Sequence, residues 1–195
     1  MALRPCLSGG ARIPICPGML FHRLRRDSLA DMPAFETARL SIVALGPADA
    51  EALRRLTDDP AITGAVDFLP APFTLRDAQD LIGSARHGRD RFLGAWAREG
   101  RGLVGVVGAH LRGEGAIEVG YWVGGAARGR GFGAEAVAGT LALLARRFPG
   151  RSIVAECRPG NVASWGLLHK LGFHDTGEDG HRPGRRVLVR DQGPR

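Results

Sequence analysis

The stretch GGAARGRGFGAEAVAGTLALLARRF, residues Gly124–Phe148, decides the fold of this chain. Five of its first ten residues are glycine. After them, apolar residues recur with the period of a helix at Val137, Leu141 and Leu144, and a Pro-Gly pair follows the stretch. The pattern predicts a glycine-rich turn that leads directly into the N-terminus of a long helix.

The segment before this turn, AIEVGYWV at residues 116–123, has the β-branched and aromatic composition of a strand. At a junction of strand, turn and helix, the first backbone N–H groups of the helix are unpaired and carry the positive end of its dipole. Such a junction binds anions, and glycine lets a phosphate approach the main chain itself. The sequence therefore predicts a pyrophosphate site. The residues around it are Arg128, Gly129, Arg130, Gly131 and Gly133.

The rest of the chain predicts a layered α/β domain with a mixed sheet. Three β-rich runs separated by glycine turns indicate an antiparallel meander. Thr74 and Asp77 resemble a capping box that begins a helix running to about His87. The other predicted elements are a strand at 38–45, a helix at Pro47–Thr57, a strand at 152–157, a helix at Asn161–Leu171 and a strand at 185–190.

We expect one domain, at residues 32–191, between an N-terminal extension and a short tail at 192–195. Residues 1–31 mix Pro, Gly and Arg without a period, which is typical of disorder.

The chain has no run of eighteen apolar residues and no secretory-signal pattern, so we expect a cytoplasmic protein without a membrane partner. Cys6, Cys16 and Cys157 fit no zinc-ligand spacing, and we expect no metal site.

The net charge of +7 lies at the two ends of the chain. Residues 1–31 hold five arginines against two aspartates, and residues 181–195 hold five arginines against one aspartate. The body between them is neutral, unlike a surface that binds duplex nucleic acid. We therefore expect no nucleic-acid partner, although the basic ends leave contact with ribosomal RNA open.

Two kinds of ligand carry a pyrophosphate, and the glycine turn by itself fits both. Gly129, Gly131 and Ala134 match the dinucleotide pattern G-x-G-x-x-A, and Glu156 lies at a plausible distance to hold a ribose. However, only 39 residues follow Glu156, too few to complete a dinucleotide fold and a substrate site. NAD is therefore the minor alternative.

The second ligand is coenzyme A, and the motifs here resemble the GNAT N-acyltransferase superfamily. RGRGFG at Arg128–Gly133 is similar to the pyrophosphate loop of that family. ETARLSIVAL, IEVGYWV and NVASWGLLHKLGF stand in the family's order between Glu36 and Phe173, and they resemble the branch of the ribosomal-protein alanine acetyltransferases. The resemblance implies a mixed, mostly antiparallel sheet flanked by helices, with acetyl-CoA as cosubstrate.

The resemblance also implies which residues contact acetyl-CoA. The loop would wrap the pyrophosphate, the preceding strand would hold the thioester, and the start of the later helix would lie near the pantetheine arm. Asn161 can equally be an ordinary N-cap. The expected cofactor-binding residues are Tyr121, Trp122, Val123, Arg128, Gly129, Arg130, Gly131, Phe132, Gly133, Ala134, Asn161 and Ser164.

Acetyl transfer to an amine requires a group that takes a proton, because most amines are protonated at neutral pH. Glu118 shares a strand face with Trp122, and partial desolvation there would make it the catalytic base. Alternatively, Glu118 is a solvated surface charge.

Many relatives use a tyrosine at the position of Leu168 as the acid that protonates the departing thiolate, so Ser164 is the expected catalytic substitute here.

The sequence therefore predicts an N-acetyltransferase that acts by direct attack in a ternary complex. The acceptor is a primary amine, either on a small molecule or at a protein N-terminus, and the enzyme is a monomer or homodimer. The absent tyrosine leaves a second hypothesis open, namely a non-catalytic module that binds acyl-CoA.

Overall fold

The computed structural model describes residues 27–190, which form eight strands and five α-helices. The strands are β1 (Phe35–Glu36), β2 (Leu40–Ala44), β3 (Asp90–Ala97), β4 (Leu103–Arg112), β5 (Ala116–Val123), β6 (Ser152–Cys157), β7 (Phe173–Asp179) and β8 (Arg186–Arg190). The helices are α1 (Ala50–Thr57), α2 (Pro60–Thr63), α3 (Leu75–Ser84), α4 (Phe132–Arg147) and α5 (Val162–Lys170).

All eight strands belong to one sheet, in the order β1-β2-β3-β4-β5-β6-β8-β7. Only β5 and β6 pair in parallel, and every other neighbouring pair is antiparallel. The predicted meander is β3-β4-β5, and the predicted mixed, mostly antiparallel sheet is confirmed. Among residues 27–190, no helix is both long enough and apolar enough to cross a bilayer.

Two cores flank the sheet, because the strands alternate apolar residues toward both faces. The larger core packs α4 and α5 on one face, with Val137, Leu141 and Leu168 fully or almost fully buried. The smaller core packs α1, α2 and α3 on the other face, around Leu53 and Trp122. The β5 side chains therefore point alternately toward the two helix layers.

The helix boundaries follow the capping signals in the sequence. At α3, the Thr74 hydroxyl accepts a hydrogen bond from the Asp77 N–H at 3.2 Å, and the Asp77 carboxylate accepts one from the Thr74 N–H at 2.8 Å. This is the predicted capping box. Helix α4 ends at Arg147, because Pro149 cannot continue the helical hydrogen bonds.

Three elements were not located from the sequence, namely the two-residue strand β1, the helix α2 and the strand β7. The segment Thr57–Phe73 contains the short helix α2, whose N-terminus is capped where the Asp59 carboxylate accepts a hydrogen bond from the Ala61 N–H at 2.9 Å. Strand β7 is exposed after Phe173, so it has no apolar alternation to reveal it. Its backbone pairing with β8 is what makes it a strand.

Residues that precede the predicted boundary at Met32 contact the rest of the domain. Leu29 is fully buried in the larger core, and its N–H donates to the Gly88 carbonyl at 2.7 Å. The Asp27 carboxylate accepts a hydrogen bond from Arg151 Nε at 2.6 Å. Cys6, Cys16, the rest of the predicted extension up to residue 26 and the predicted tail at 192–195 lie outside the described residues.

Because Leu29 is a core residue, replacing it with Ala should lower the free energy of unfolding by about 2–5 kcal/mol. Chemical denaturation of the full chain measures this loss. Leu75→Ala is the matched control, since Leu75 is 42% exposed and its truncation should change stability little. Equal denaturation midpoints for the two variants would show that Leu29 is not part of the core.

Candidate active site

A cavity opens where β5 and β6 separate. The two strands pair only over Ala116–Glu118 and Ser152–Val154. Beyond Glu118, β5 keeps its partner β4 on one side, while β6 continues with β8. The cavity between the separated edges has a volume of about 540 Å³, which is in the usual range of small-molecule pockets.

The open edge of β5 presents backbone groups to this cavity. The Gly124 N–H donates to the Val104 carbonyl at 3.0 Å on the β4 side. In an antiparallel pair, every second residue bonds the same neighbour. The N–H and C=O groups of Val119, Tyr121 and Val123 therefore point away from β4, toward the gap. The Ser152 N–H, which donates to Gly115 O at 2.9 Å, follows the same alternation.

The glycine-rich loop forms one end of the cavity. Gly129 and Gly131 have φ values of 72° and 81°, a left-handed conformation that costs other residues about 1–2 kcal/mol. Helix α4 starts at Phe132, so the N–H groups of its first turn have no acceptor within the helix. Gly133 and Ala134 of that turn line the cavity. The loop therefore has free backbone donors at the place where the sequence predicts a pyrophosphate site.

The two loop arginines have different surroundings. Arg128 Nε donates to the Val123 carbonyl at 3.1 Å, and its Nη2 donates to the Asp59 carboxylate at 2.8 Å, so Arg128 ties the loop to β5 and α2. Arg130 is exposed, and its guanidinium lies 5.0 Å from the centre of the Phe132 ring. The Phe132 ring itself belongs to the larger core. Arg128 lines the cavity beside the loop glycines, whereas Arg130 is not among the lining residues.

Arg39, immediately before β2, supports the loop and was not identified from the sequence. Its Nη1 donates to the Arg130 carbonyl at 2.9 Å, and its guanidinium lies 4.5 Å from the Phe132 ring centre. Arg39 Nε also donates to the Glu135 carboxylate at 2.6 Å. Burial opposes ionisation of Glu135, but hydrogen bonds from Thr37 and Arg39 hold the pKa of this carboxyl below its usual value.

Replacing Arg39 with Ala should weaken acetyl-CoA binding on the order of tenfold, or about 1.4 kcal/mol, because the loop loses this support. Titration calorimetry measures the change. Arg76→Ala is the control, because the pair of Arg76 with Asp80 is exposed. This variant should bind acetyl-CoA as the unmodified protein does. Unchanged affinity in Arg39→Ala would remove Arg39 from the cofactor site.

Tyr121 and Ser164 meet in the middle of the cavity. Their hydroxyl oxygens are 2.9 Å apart, although 43 residues separate them in the chain. Burial raises the pKa of Tyr121 to about 12, so the phenol stays protonated at neutral pH. Asn161 caps α5 by accepting the Ser164 N–H at 3.1 Å, and Leu168 is buried. The strand tyrosine thus reaches the serine that was expected to replace the missing helix tyrosine.

The surroundings of Glu118 differ from the expected half-desolvated carboxylate. Glu118 is 6% exposed, and its two oxygens accept hydrogen bonds from Arg112 Nε, at 2.7 Å, and from Arg182 Nη2. It is therefore not a solvated surface charge either. Burial, together with repulsion from Arg185 and Arg112, lowers the pKa of Arg182.

Arg182 also bonds Glu156, the residue that the dinucleotide alternative assigned to a ribose. Arg182 Nε donates to Glu156 Oε2 at 2.9 Å, and the His181 N–H donates to Oε1 at 2.9 Å. With both oxygens occupied, Glu156 serves the ion-pair network of the cavity wall. The Trp122 indole lines the cavity and packs in the smaller core, where its Nε1 donates to the buried Thr57 hydroxyl at 3.0 Å.

Known proteins share this fold. It is similar to a GNAT-family acetyltransferase from Bacillus anthracis, with 21% identity, a TM-score of 0.70 and coverage of 80% of this chain and 97% of that one. The chain is also similar to a ribosomal-protein-S5-alanine acetyltransferase from Vibrio fischeri, with 18% identity and a TM-score of 0.69. That match covers 80% of this chain and 94% of the other. A third similar structure is a ribosomal L7/L12 α-N-protein acetyltransferase in complex with coenzyme A, with 17% identity and a TM-score of 0.70. That match covers 80% of this chain and 96% of the other.

The resemblance to the GNAT superfamily that the sequence motifs indicate is supported by a family match. The family model described as acetyltransferase (GNAT) domain matches residues 39–174, which include the glycine-rich loop, β5 and α5. The chain therefore belongs to the GNAT family of acetyltransferases, enzymes that use acetyl-CoA as the acetyl donor.

Proposed function

We propose that this protein transfers the acetyl group of acetyl-CoA to a primary amine by direct attack in a ternary complex. The observation that carries the proposal is the continuity of the cavity. It runs from the anion-binding loop at Gly129 and Gly131, past Tyr121 and Ser164, to a group of polar side chains around Glu118. One space can therefore hold the cofactor and an acceptor side by side.

The chain's own groups have distinct tasks in this reaction. The loop amides, with Arg128 and Arg130, would hold the pyrophosphate, and the open edge of β5 would direct the Tyr121 or Val123 N–H at the thioester carbonyl. These amides would stabilise the oxyanion that forms on attack. The Ser164 hydroxyl, oriented by Tyr121, would donate a hydrogen bond to the departing thiolate. Asn161 would fix the start of α5 beside the pantetheine arm.

A covalent acetyl-enzyme is not required. Cys157 is 3% exposed, and its thiol contacts the Arg158 carbonyl at 3.5 Å. No imidazole is recorded in hydrogen-bond contact with that thiol within the described part of the chain, so the pair needed to activate a thiol nucleophile is missing there.

The resemblance to the ribosomal-protein acetyltransferases favours a protein N-terminus over a small-molecule amine as the acceptor.

A thermal-shift comparison of acetyl-CoA, coenzyme A and NAD tests the cofactor first. Acetyl-CoA at 100 times its Kd should stabilise the fold by about 2.7 kcal/mol, which raises Tm by roughly 5–10 °C for a chain of this size. Stabilisation by NAD alone would contradict the proposal.

A thiol-release screen then tests transfer to peptides that begin with Ala or Ser and to polyamines and amino acids. We expect free CoA to appear with at least one peptide faster than by hydrolysis of acetyl-CoA alone. Binding of acetyl-CoA without thiol release for any amine would favour the non-catalytic module instead.

A further inference from the structure

His110 lines the end of the cavity around Glu118, where the acceptor would bind in the proposed reaction. We call this part the acceptor end. His110 was not identified from the sequence. It belongs to β4 and stands directly opposite Glu118 of β5. Its imidazole packs edge-on against Phe92, with ring centres 5.4 Å apart, and 14% of the side chain is exposed. The ring lines the cavity.

Asp90 of β3 fixes the orientation of this ring. The carboxylate oxygen is 2.7 Å from His110 Nδ1, so the neutral imidazole donates its N–H there. The basic lone pair is then on Nε2. Among residues 27–190, Nε2 has no hydrogen-bond partner, whereas both oxygens of Glu118 are bonded to arginines.

Two glycines leave room beside Nε2. Gly108 and Gly120 face each other across β4 and β5. A Cβ atom at Gly108 would lie 2.7 Å from His110 Nε2, so the ring occupies the space that this glycine leaves. A Cβ at Gly120 would have no atom within 4 Å. The cavity floor is therefore open next to the free nitrogen.

The charges around His110 come from four elements. Asp90 on β3 favours the protonated ring, and so does Glu118 on β5, although that carboxylate is neutralised by its own pairs. Arg112 on β4 and Arg182 before β8 oppose protonation. Burial is the largest effect, and together with these arginines it lowers the pKa of His110 despite Asp90. The ring is thus neutral at pH 7, as a proton acceptor must be.

We propose that His110 Nε2 is the catalytic base that takes a proton from the acceptor amine, and that Asp90 positions it. This inference rests on the proposed acetyl transfer. An ammonium acceptor gives one proton to Nε2 and becomes the nucleophile. The C–N bond forms, the C–S bond breaks, and the nitrogen loses a second proton as the CoA thiolate takes one up. His110 then returns its proton to solvent.

The test is the pH dependence of kcat in four variants with an active acceptor. His110→Asn keeps a donor toward Asp90 but has no basic nitrogen, and His110→Gln is the second variant in case Asn disturbs packing. Each should lower kcat at pH 7 by about 10²–10⁴-fold, with acetyl-CoA affinity within about twofold. His87→Gln, at an exposed site outside the cavity lining, is the control and should match the unmodified protein.

The unmodified enzyme should lose activity along an acidic limb that lies below pH 6.5, since burial lowers the pKa of His110 from that ordinary value. This acidic limb should be absent from both His110 variants. In Asp90→Asn, the limb should move to lower pH, because the ring loses the carboxylate that favours its charged form. A His110→Asn or His110→Gln enzyme with normal kcat and an unchanged limb would overturn the inference alone. Absence of transfer by the unmodified protein would overturn the proposed function as well.

Discussion

Replacing Gly131 with Val should reduce acetyl-CoA affinity by more than a hundredfold. At φ 81°, a β-branched residue is strained by about 1–3 kcal/mol. Its side chain would also stand where a phosphate must approach the first amides of α4, and a Cβ there already comes within 3.3 Å of Arg39 Nη2. Strain and blocked access act together on the same loop.

Titration calorimetry measures this loss, and Gly113→Val separates the two causes. Gly113, in the turn between β4 and β5, also has a positive φ, 54°, but lies outside the cavity. This control should lose stability and keep acetyl-CoA affinity. If Gly131→Val bound acetyl-CoA normally, the loop would not be the pyrophosphate site.

Replacing Glu118 with Gln should lower both turnover and stability. The change leaves Arg112 and Arg182 facing a neutral amide, and breaking a buried ion pair costs about 3–5 kcal/mol. Because Arg112 is 45% and Arg182 30% exposed, we expect about 2–4 kcal/mol in the free energy of unfolding. Turnover should fall because Arg182 and the acceptor end of the cavity lose their alignment, while acetyl-CoA binding stays nearly intact.

Denaturation and steady-state kinetics on Glu118→Gln distinguish the two roles considered for this residue. A pure proton acceptor would lose turnover with little change in stability. The ion-pair role predicts that both fall, and that the acidic limb of the kcat profile remains because His110 is intact. Unchanged turnover would remove Glu118 from the mechanism altogether.

The sequence predicts those parts of the fold that local patterns encode. Gly124–Phe148 specifies the loop and α4 through glycine spacing and helical periodicity, and Thr74 with Asp77 specifies the start of α3. Strand β7 lacks such a pattern, because its pairing with β8 uses the backbone. Leu29 could not be identified as a core residue either, since the leucines of residues 1–31 follow no helical or strand period.

The candidate site is predictable only where it is continuous in the chain. The pyrophosphate loop is one such segment. The partners of Glu118 are not, because Arg182 lies 64 residues further along and reaches it only through the β7-β8 connection. His110 sits in the apolar run VVGAHL, where a lone histidine is typical of core packing. Its position two residues after Gly108, on the same strand face, was the available signal.

Direct acetyl transfer from acetyl-CoA to the amine is tested by a reaction in which the acetylated amine and free CoA are quantified together, by mass spectrometry and thiol titration. We predict equal amounts of the two products, formation that requires both acetyl-CoA and the amine, and no acetylated protein when the amine is left out. A protein that becomes acetylated without any amine, or that releases CoA without an acetylated acceptor, would contradict direct transfer within a ternary complex.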